Sequence, residues 1–317
     1  MLTYLPPNRH RANYQASKMI HHFIPWSEAI LPPRQTLVPL NGKFGILRQL
    51  PPPQIIWLDE IPSTHTYLKS GEAGDLAQYT MVCARRQTAG RGQRGNTWES
   101  EDYKNLTFSL PFLPSDIRPA DQFIISEAFA LSIVALLQEE GIPACVKWPN
   151  DIYVGERKIC GILIDHALCA GEISRSILSA GLNINQLAFK SDAPNPCSML
   201  QVIRRTVPDM GEYNVERLAI RLLQIIRQLM EATRTAADRE TIHRSYMRHL
   251  FRHDGRPHLF YDRRRDQKFA GIIRDVLPDG PLVVEDTATG VTLPAFLFKE
   301  IAHLPEDDTI TAFAADI

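Results

Sequence analysis

The chain has 317 residues, 44% of them hydrophobic and 22% charged, with a formal net charge of -1 at pH 7. That length can bury a sizeable core and fits a large domain with a smaller companion. The near-neutral charge excludes a non-specific nucleic-acid coat, whose affinity needs a basic excess, so any anion site must be local.

Residues 1–53 hold nine of the 23 prolines, including Pro32-Pro33 and Pro51-Pro52-Pro53. Long helices and central strands are disfavoured there, and the segment reads as a proline-rich N-terminal extension rather than a domain. His10, His21 and His22 lack fixed carboxylate or cysteine partners and read as surface histidines, so no metal site is expected. The cysteines Cys83, Cys145, Cys160, Cys169 and Cys197 have no CxxC spacing. This argues against a zinc cage or disulfide framework and fits a reducing cytoplasm. No stretch of about 18 apolar residues is expected to span a membrane, and Met1 to Pro7 lacks the regions of a signal peptide. The expectation is a cytoplasmic protein.

Gln54 to Leu58 reads as a strand, and Asp59 to Leu68 as a turn into a helix. Ser63 or Thr64 would cap that helix or contact a ligand. A second strand over Thr80–Ala84 leads into Gln87-Thr88-Ala89-Gly90-Arg91-Gly92-Gln93-Arg94-Gly95-Asn96-Thr97-Trp98, and an alternating strand follows to Leu110. Three glycines permit close backbone approach and positive φ, leaving N–H groups free to gather round an anion. Arg91 and Arg94 add fixed charge. No Gly-Lys-Ser/Thr follows, so this is not a Walker loop, and the next element is a strand, so it is not a Rossmann turn.

Residues 119–141 carry apolar side chains at helical spacing and stop at Gly141. Ala144 to Val154 reads as one strand bent at Pro149, joined by a turn at Gly155-Glu156 to a second strand over Arg157–Asp165. Lys147, Asp151 and Lys158 are charges in strands that otherwise look buried. An unpaired buried charge is costly, so they should pair with each other or with a ligand. Ser176 to Asn185 is a third apolar run, ending in Gly181, Asn183 and Asn185. Asn214 opens an amphipathic helix, another covers 238–251, and from Gly255 short alternating segments imply a small barrel. Arg263-Arg264-Arg265, flanked by Asp262 and Asp266, reads as a solvated loop.

Gln87 to Trp98, Lys147-Trp148-Pro149-Asn150-Asp151 with Arg157 to Leu163, and Gly181 to Asn185 together resemble the biotin protein ligases. The likeness implies an α+β (α/β) protein: a mixed β-sheet with packed helices, the class II synthetase-like biotin/lipoate ligase catalytic domain, over 54–253. A C-terminal SH3-like β-barrel over 254–317 would follow. It implies that biotin and MgATP give biotinyl-5′-AMP, and that biotin then passes to a lysine of a biotin carboxyl carrier domain. By that match the catalytic residues are Arg91, Lys147, Asp151 and Lys158. Biotin contacts fall to Ser63, Thr64, His65, Gln87, Gly90, Arg91, Gly92, Gln93, Lys158 and Gly161. The adenylate contacts are Arg91, Arg94, Trp98, Lys147, Asn150, Asp151, Lys158 and Asn183, with Trp98 also a candidate for core packing. Mg2+ is implied as a companion of ATP. Gln93 stands where the family commonly has arginine, and His65 where it has asparagine. The extension over 1–53 is too short and proline-rich for a helix-turn-helix, so no DNA binding is expected. No membrane partner is expected either, and a homodimer through a sheet edge is left open. A lipoate or octanoate ligase or transferase is the nearest rival, and a non-catalytic biotin or nucleotide binder the next.

Overall fold

Side-chain alternation along the strands decides which face of the main sheet is core and which is site. The computed structural model describes residues 54–190 and 195–305; the extension over 1–53 lies outside the described residues. The main sheet comprises β1 (Ile55–Ile61), β2 (Met81–Gln87), β3 (Leu106–Phe112), β4 (Cys145–Lys147), β5 (Asp151–Val154), β6 (Arg157–Cys169) and β7 (Glu172–Leu182), in the order β1-β2-β3-β7-β6-β5-β4. β1 and β2 run parallel, and the other neighbouring pairs are antiparallel. The sheet is therefore mixed, as expected.

In β3, Leu106, Phe108, Leu110 and Phe112 join the large core, as do Leu178, Ala180 and Leu182 in β7. The intervening Thr107, Ser109, Ser179 and Gly181 point to the other face, because successive side chains on a strand alternate. One face is thus apolar and covered. The other carries small and polar groups.

The helix α2 (Phe123–Glu139) covers the apolar face and is backed by α4 (Val215–Ala232) and α5 (Ala236–Arg248). A helix apolar all round must be buried. Residues Pro119–Glu139, with mean hydropathy 1.7, do reach the length and apolarity of a membrane span, which corrects the sequence expectation; 72% of the window is buried inside the protein. A core helix accounts for that composition. The short α1 (Thr64–Lys69) packs on the opposite face, capped by Ser63, whose Oγ accepts from the Thr66 N–H. Asn214 caps α4 as anticipated, and α3 (Met199–Ile203) follows the site strands.

One charged group lies in the buried interior of α2. Glu127, buried to 3% exposure, meets His243 of α5 at 2.8 Å, and His243 meets Asp275 at 3.0 Å. The hydrogen bond that His243 donates to Glu127 holds the His243 pKa up at about 9, while burial pushes that of Glu127 up as well. A histidine pKa raised in the fold contributes stability that is full below its unfolded value of about 6.5 and lost as pH rises through its folded value. The melting temperature should therefore fall between about pH 6.5 and pH 9. His243→Ala should flatten that decline, and an unchanged slope in thermal melts would remove the assignment.

The remaining strands, β8 (His258–Asp262), β9 (Gln267–Val276), β10 (Leu282–Asp286), β11 (Val291–Thr292) and β12 (Ile301–His303), form a second, antiparallel sheet in the order β11-β10-β9-β8-β12. The sequence reading extended β11 to residue 296 and missed β12. The three-residue β12 has too little alternation to announce itself. This sheet reaches the main body, where the Phe123 N–H donates to the Pro278 carbonyl and Trp148 Nε1 donates to the Gly280 carbonyl at 2.8 Å.

Candidate active site

A cavity of about 1100 Å³ opens on the polar face of the main sheet. Its walls are the α1 start, the Gln87–Trp98 loop, the β4–β5 turn, the first half of β6, the last residues of β7 and, from the C-terminal sheet, the β8–β9 turn and the stretch from Phe298 into β12. Of the residues predicted from sequence, Ser63, Thr64, His65, Gln87, Arg91, Gly92, Gln93, Trp98, Lys147, Asn150, Asp151, Lys158, Gly161 and Asn183 all line it. Gly90 does not. Its carbonyl accepts from the Trp98 N–H, and a Cβ there would meet the Trp98 carbonyl oxygen at 2.5 Å, so its role is to close the base of the loop. The Arg94 side chain lies outside the described residues.

The glycine-rich loop folds back on itself, with the Gly92 N–H donating to the Asn96 carbonyl and Arg91 bridging Thr97. Among its glycines only Gly95 has positive φ, at 86°. Close approach, rather than left-handed backbone, explains Gly90. Trp98 ends the loop, and its indole lies flat on the sheet over Gly161 and Gly181. These two glycines are register partners on β6 and β7, and any larger residue there would occupy the indole's place. The alternatives of ligand contact and core packing resolve into a tryptophan that walls the cavity from above a glycine floor.

The Lys147-to-Asp151 stretch differs from its sequence reading. It is not one bent strand but a tight hairpin, with β4 and β5 antiparallel, Lys147 opposite Asp151, and a cis peptide before Pro149 in the turn. The hairpin brings its two charges to the same end of the cavity. Asp151 in turn lies opposite Gly161 on β6, and its Oδ1 accepts from Lys158 Nζ at 2.7 Å. Lys147 Nζ donates to the Tyr153 hydroxyl at 3.1 Å and lies 4.4 Å from that ring's centroid. Burial lowers the Lys147 pKa, against the pull of Asp151 and Glu156. Two lysines and one carboxylate thus sit together, a local cationic surface that suits an anion.

The other end is neutral and polar. Gln87 Oε1 accepts from the Thr64 N–H at 2.9 Å, and Ser109 and Ser179 stand behind Thr64 and His65. Asn183 lines the wall with Nδ2 donating to the Cys197 carbonyl and Oδ1 buried without a hydrogen bond. Sequence reasoning missed Ser109 and Ser179. The alternation of small polar residues opposite large apolar ones in β3 and β7 was the signal for them. It also missed Arg263 and Lys299, which reach the cavity from the C-terminal sheet. The Arg263–Arg265 run is not simply solvated: Arg264 and Arg265 pair with Asp262, which is fully buried.

The sequence profile of the Biotin/lipoate A/B protein ligase family matches residues 57–183, the stretch that holds this cavity's loop, hairpin and floor. The chain is 34% identical over 146 residues to the bifunctional ligase/repressor BirA of Escherichia coli, covering 46% of this chain and 44% of that protein. The Bacillus subtilis BirA matches at 28% over 145 residues, covering 45% and 44%. The chain thus spans less than half the length of these curated relatives. Among solved structures, the Aquifex aeolicus biotin protein ligase in complex with biotin and ATP superposes with a TM-score of 0.61 at 20% identity, over 78% of this chain and 97% of that one. A Leishmania major biotin protein ligase with biotinyl-5-AMP gives a TM-score of 0.51 at 20% identity, over 78% and 99%. At these identities the likeness is one of fold.

Proposed function

We propose that the chain is a biotin protein ligase. The observation that carries this reading is the polarity of one cavity: hydroxyl and amide groups at one end, the Trp98 indole over glycine in the middle, and the Lys158–Asp151 pair with Lys147 at the other. A ligand with a polar head, an apolar waist and a terminal carboxylate matches that sequence of environments, and biotin is such a molecule. The named relatives, and the biotin, ATP and biotinyl-5-AMP bound in the neighbouring structures, support the same reading.

In the first step the biotin carboxylate attacks the α-phosphorus of ATP, forming biotinyl-5′-AMP and releasing pyrophosphate. Two anions must meet, so fixed cations are needed where charge accumulates at phosphorus. Lys158 and Lys147 supply them, with Arg91, Arg263 and Lys299 at the rim. Mg2+ would arrive with the triphosphate, whose oxygens provide much of its coordination, and Asp151 is the wall carboxylate suited to it. In the second step a lysine ε-amine of a biotin carboxyl carrier domain attacks the acyl carbon, and AMP leaves. Asp151 is suited to orient that amine. Asn183 Oδ1, an unused acceptor, suits an amino group on the base.

In this reading 54–253 is the catalytic domain, and the C-terminal sheet, described as far as residue 305, belongs to an SH3-like barrel that borders the cavity. The setting is cytoplasmic, and the state expected in solution is a monomer or a homodimer joined through a sheet edge. Pyrophosphate release from ATP by the purified chain, with biotin, lipoate or octanoate supplied separately, tests it. Release with biotin is expected; release with lipoate or octanoate alone would transfer the protein to the sister activity.

A further inference from the structure

Lys147 stands on β4, the outermost strand of the main sheet and only three residues long. A short edge strand has few ladder bonds, so it opens readily and needs support from beyond the sheet. The inner side of its hairpin is secured by β6. Asn150 Nδ2 donates to the Ile162 carbonyl at 2.7 Å, and the Ile162 N–H donates to the Asn150 carbonyl at 2.9 Å. On the outer side the Val146 N–H donates to the His249 carbonyl, and the Val146 carbonyl accepts from the Phe251 N–H. Beyond Lys147 the outer support passes to Trp148.

Trp148 is 6% exposed, and its Nε1–H donates to the Gly280 carbonyl at 2.8 Å. A buried indole N–H usually finds a partner, yet those of Trp57 and Trp98 have none, so among the described tryptophans Trp148 alone uses its donor. Phe298 adds a T-shaped contact, with ring centroids 6.4 Å apart. Gly280 lies in the turn between β9 and β10. The Gly280 N–H on the Leu277 carbonyl and the Leu277 N–H on the Pro281 carbonyl close that turn, and the Phe123 N–H at the head of α2 donates to its Pro278 carbonyl. Gly280 has a φ of 111°, and a Cβ there would meet the Phe123 ring at 2.9 Å, so glycine lets the turn come this close to α2. The acceptor for Trp148 is thereby fixed to the start of the core helix.

We propose that Trp148 is a positioning residue for Lys147, and that through its indole the β9–β10 turn holds the edge hairpin in place for the reaction. The inference rests on the reading of this cavity as a biotin ligase site and adds a residue to it. Trp148 follows Lys147 in the chain, so a shift of the indole is passed directly to the Lys147 backbone. Lys147 Nζ rests on the Tyr153 hydroxyl and on the rings of Tyr153 and Phe251 rather than on a carboxylate. Its ammonium therefore depends on backbone placement more than that of Lys158, which Asp151 grips at 2.7 Å. Misplacing a group that stabilises a transition state, by as little as about an ångström, costs rate. The head-group end of the cavity is built from α1 and the end of β2, away from this junction, so rate rather than biotin affinity should respond.

Steady-state pyrophosphate release by the full chain, with biotin and ATP varied in turn, tests the idea. Trp148→Phe removes the N–H donor and keeps a ring; kcat should fall about tenfold, with KM for biotin within about threefold of wild type. Gly280→Ala forces the turn off Phe123 and withdraws the acceptor, from a position that does not line the cavity, and should show the same split. The double variant should lose little more than the larger single loss, since both substitutions cut one contact. Circular dichroism and thermal melts establish that each variant is folded, and should Trp148→Phe fail to fold, Gly280→Ala carries the test. A kcat within about twofold of wild type in either folded variant, losses that multiply in the double variant, or a loss lying in KM for biotin overturns the proposal and leaves the ligase reading intact. Wild-type protein that releases no pyrophosphate with biotin overturns both.

Discussion

Lys158→Ala should lower pyrophosphate release with biotin by roughly 10²- to 10³-fold, the loss seen when one fixed electrostatic stabiliser of a transition state is removed. Lys158 is half-buried, hydrogen-bonded to Asp151 at 2.7 Å, and 5.6 Å from the Trp98 ring centroid. Its ammonium is therefore held at one place before any ligand arrives, which removes reorganisation from the reaction step. Removing it also leaves the Asp151 carboxylate without that partner, pointed at an incoming carboxylate and triphosphate. Repulsion then replaces attraction. The fold should survive, because the strand around Lys158 is anchored by Ile159, Cys160 and Ile162 in the core. Lys158→Arg should rescue little, since a planar fork does not reproduce a point charge in a cavity shaped for an ammonium. Release within about threefold of wild type, from protein with an unchanged circular dichroism spectrum, would remove Lys158 from the chemistry.

Most of this architecture was legible because periodicity reports faces. The helix at 215–232 follows from 3.6-residue spacing, the one at 123–139 from a long run that is apolar on nearly every side, and the strands of the main sheet from alternation. What the sequence did not yield was pairing. Nothing in Lys147-Trp148-Pro149-Asn150-Asp151 says locally whether the chain bends or turns back, and the structure turns it back, setting Lys147 opposite Asp151. Long-range partners were equally hidden: His65 and Asp165 are 100 residues apart, and Glu127 and His243 are 116 apart. Gly90 misled because a glycine in a charged loop reads as a ligand cradle, whereas here it gives room to the Trp98 backbone. Arg263 and Lys299 escaped because their value comes from where the second sheet docks, and docking leaves no periodic trace.

Gly181→Ala should weaken biotin binding by about 10- to 100-fold, and by more than Gly161→Ala does. A Cβ built on Gly181 meets the Trp98 indole at 2.3 Å from both Nε1 and Cε2, whereas one on Gly161 meets it at 2.9 Å, at the ring's edge. Real Cβ contacts are made at neither distance, but the shorter one demands the larger shift, so with alanine at 181 the indole must move by about an ångström. Forced repacking of this kind costs about 1–3 kcal/mol, and each 1.4 kcal/mol taken from binding is a factor of ten. The backbone itself does not object: Gly181 lies within β7, paired with Gly161, and is not among the glycines with positive φ, so alanine suits its conformation. Melting temperature should therefore change less than affinity does. Titration calorimetry of the two variants decides the matter by their order. Equal losses, or a larger one for Gly161→Ala, would mean that the indole does not wall the ligand's path and that the glycine pair serves only sheet packing.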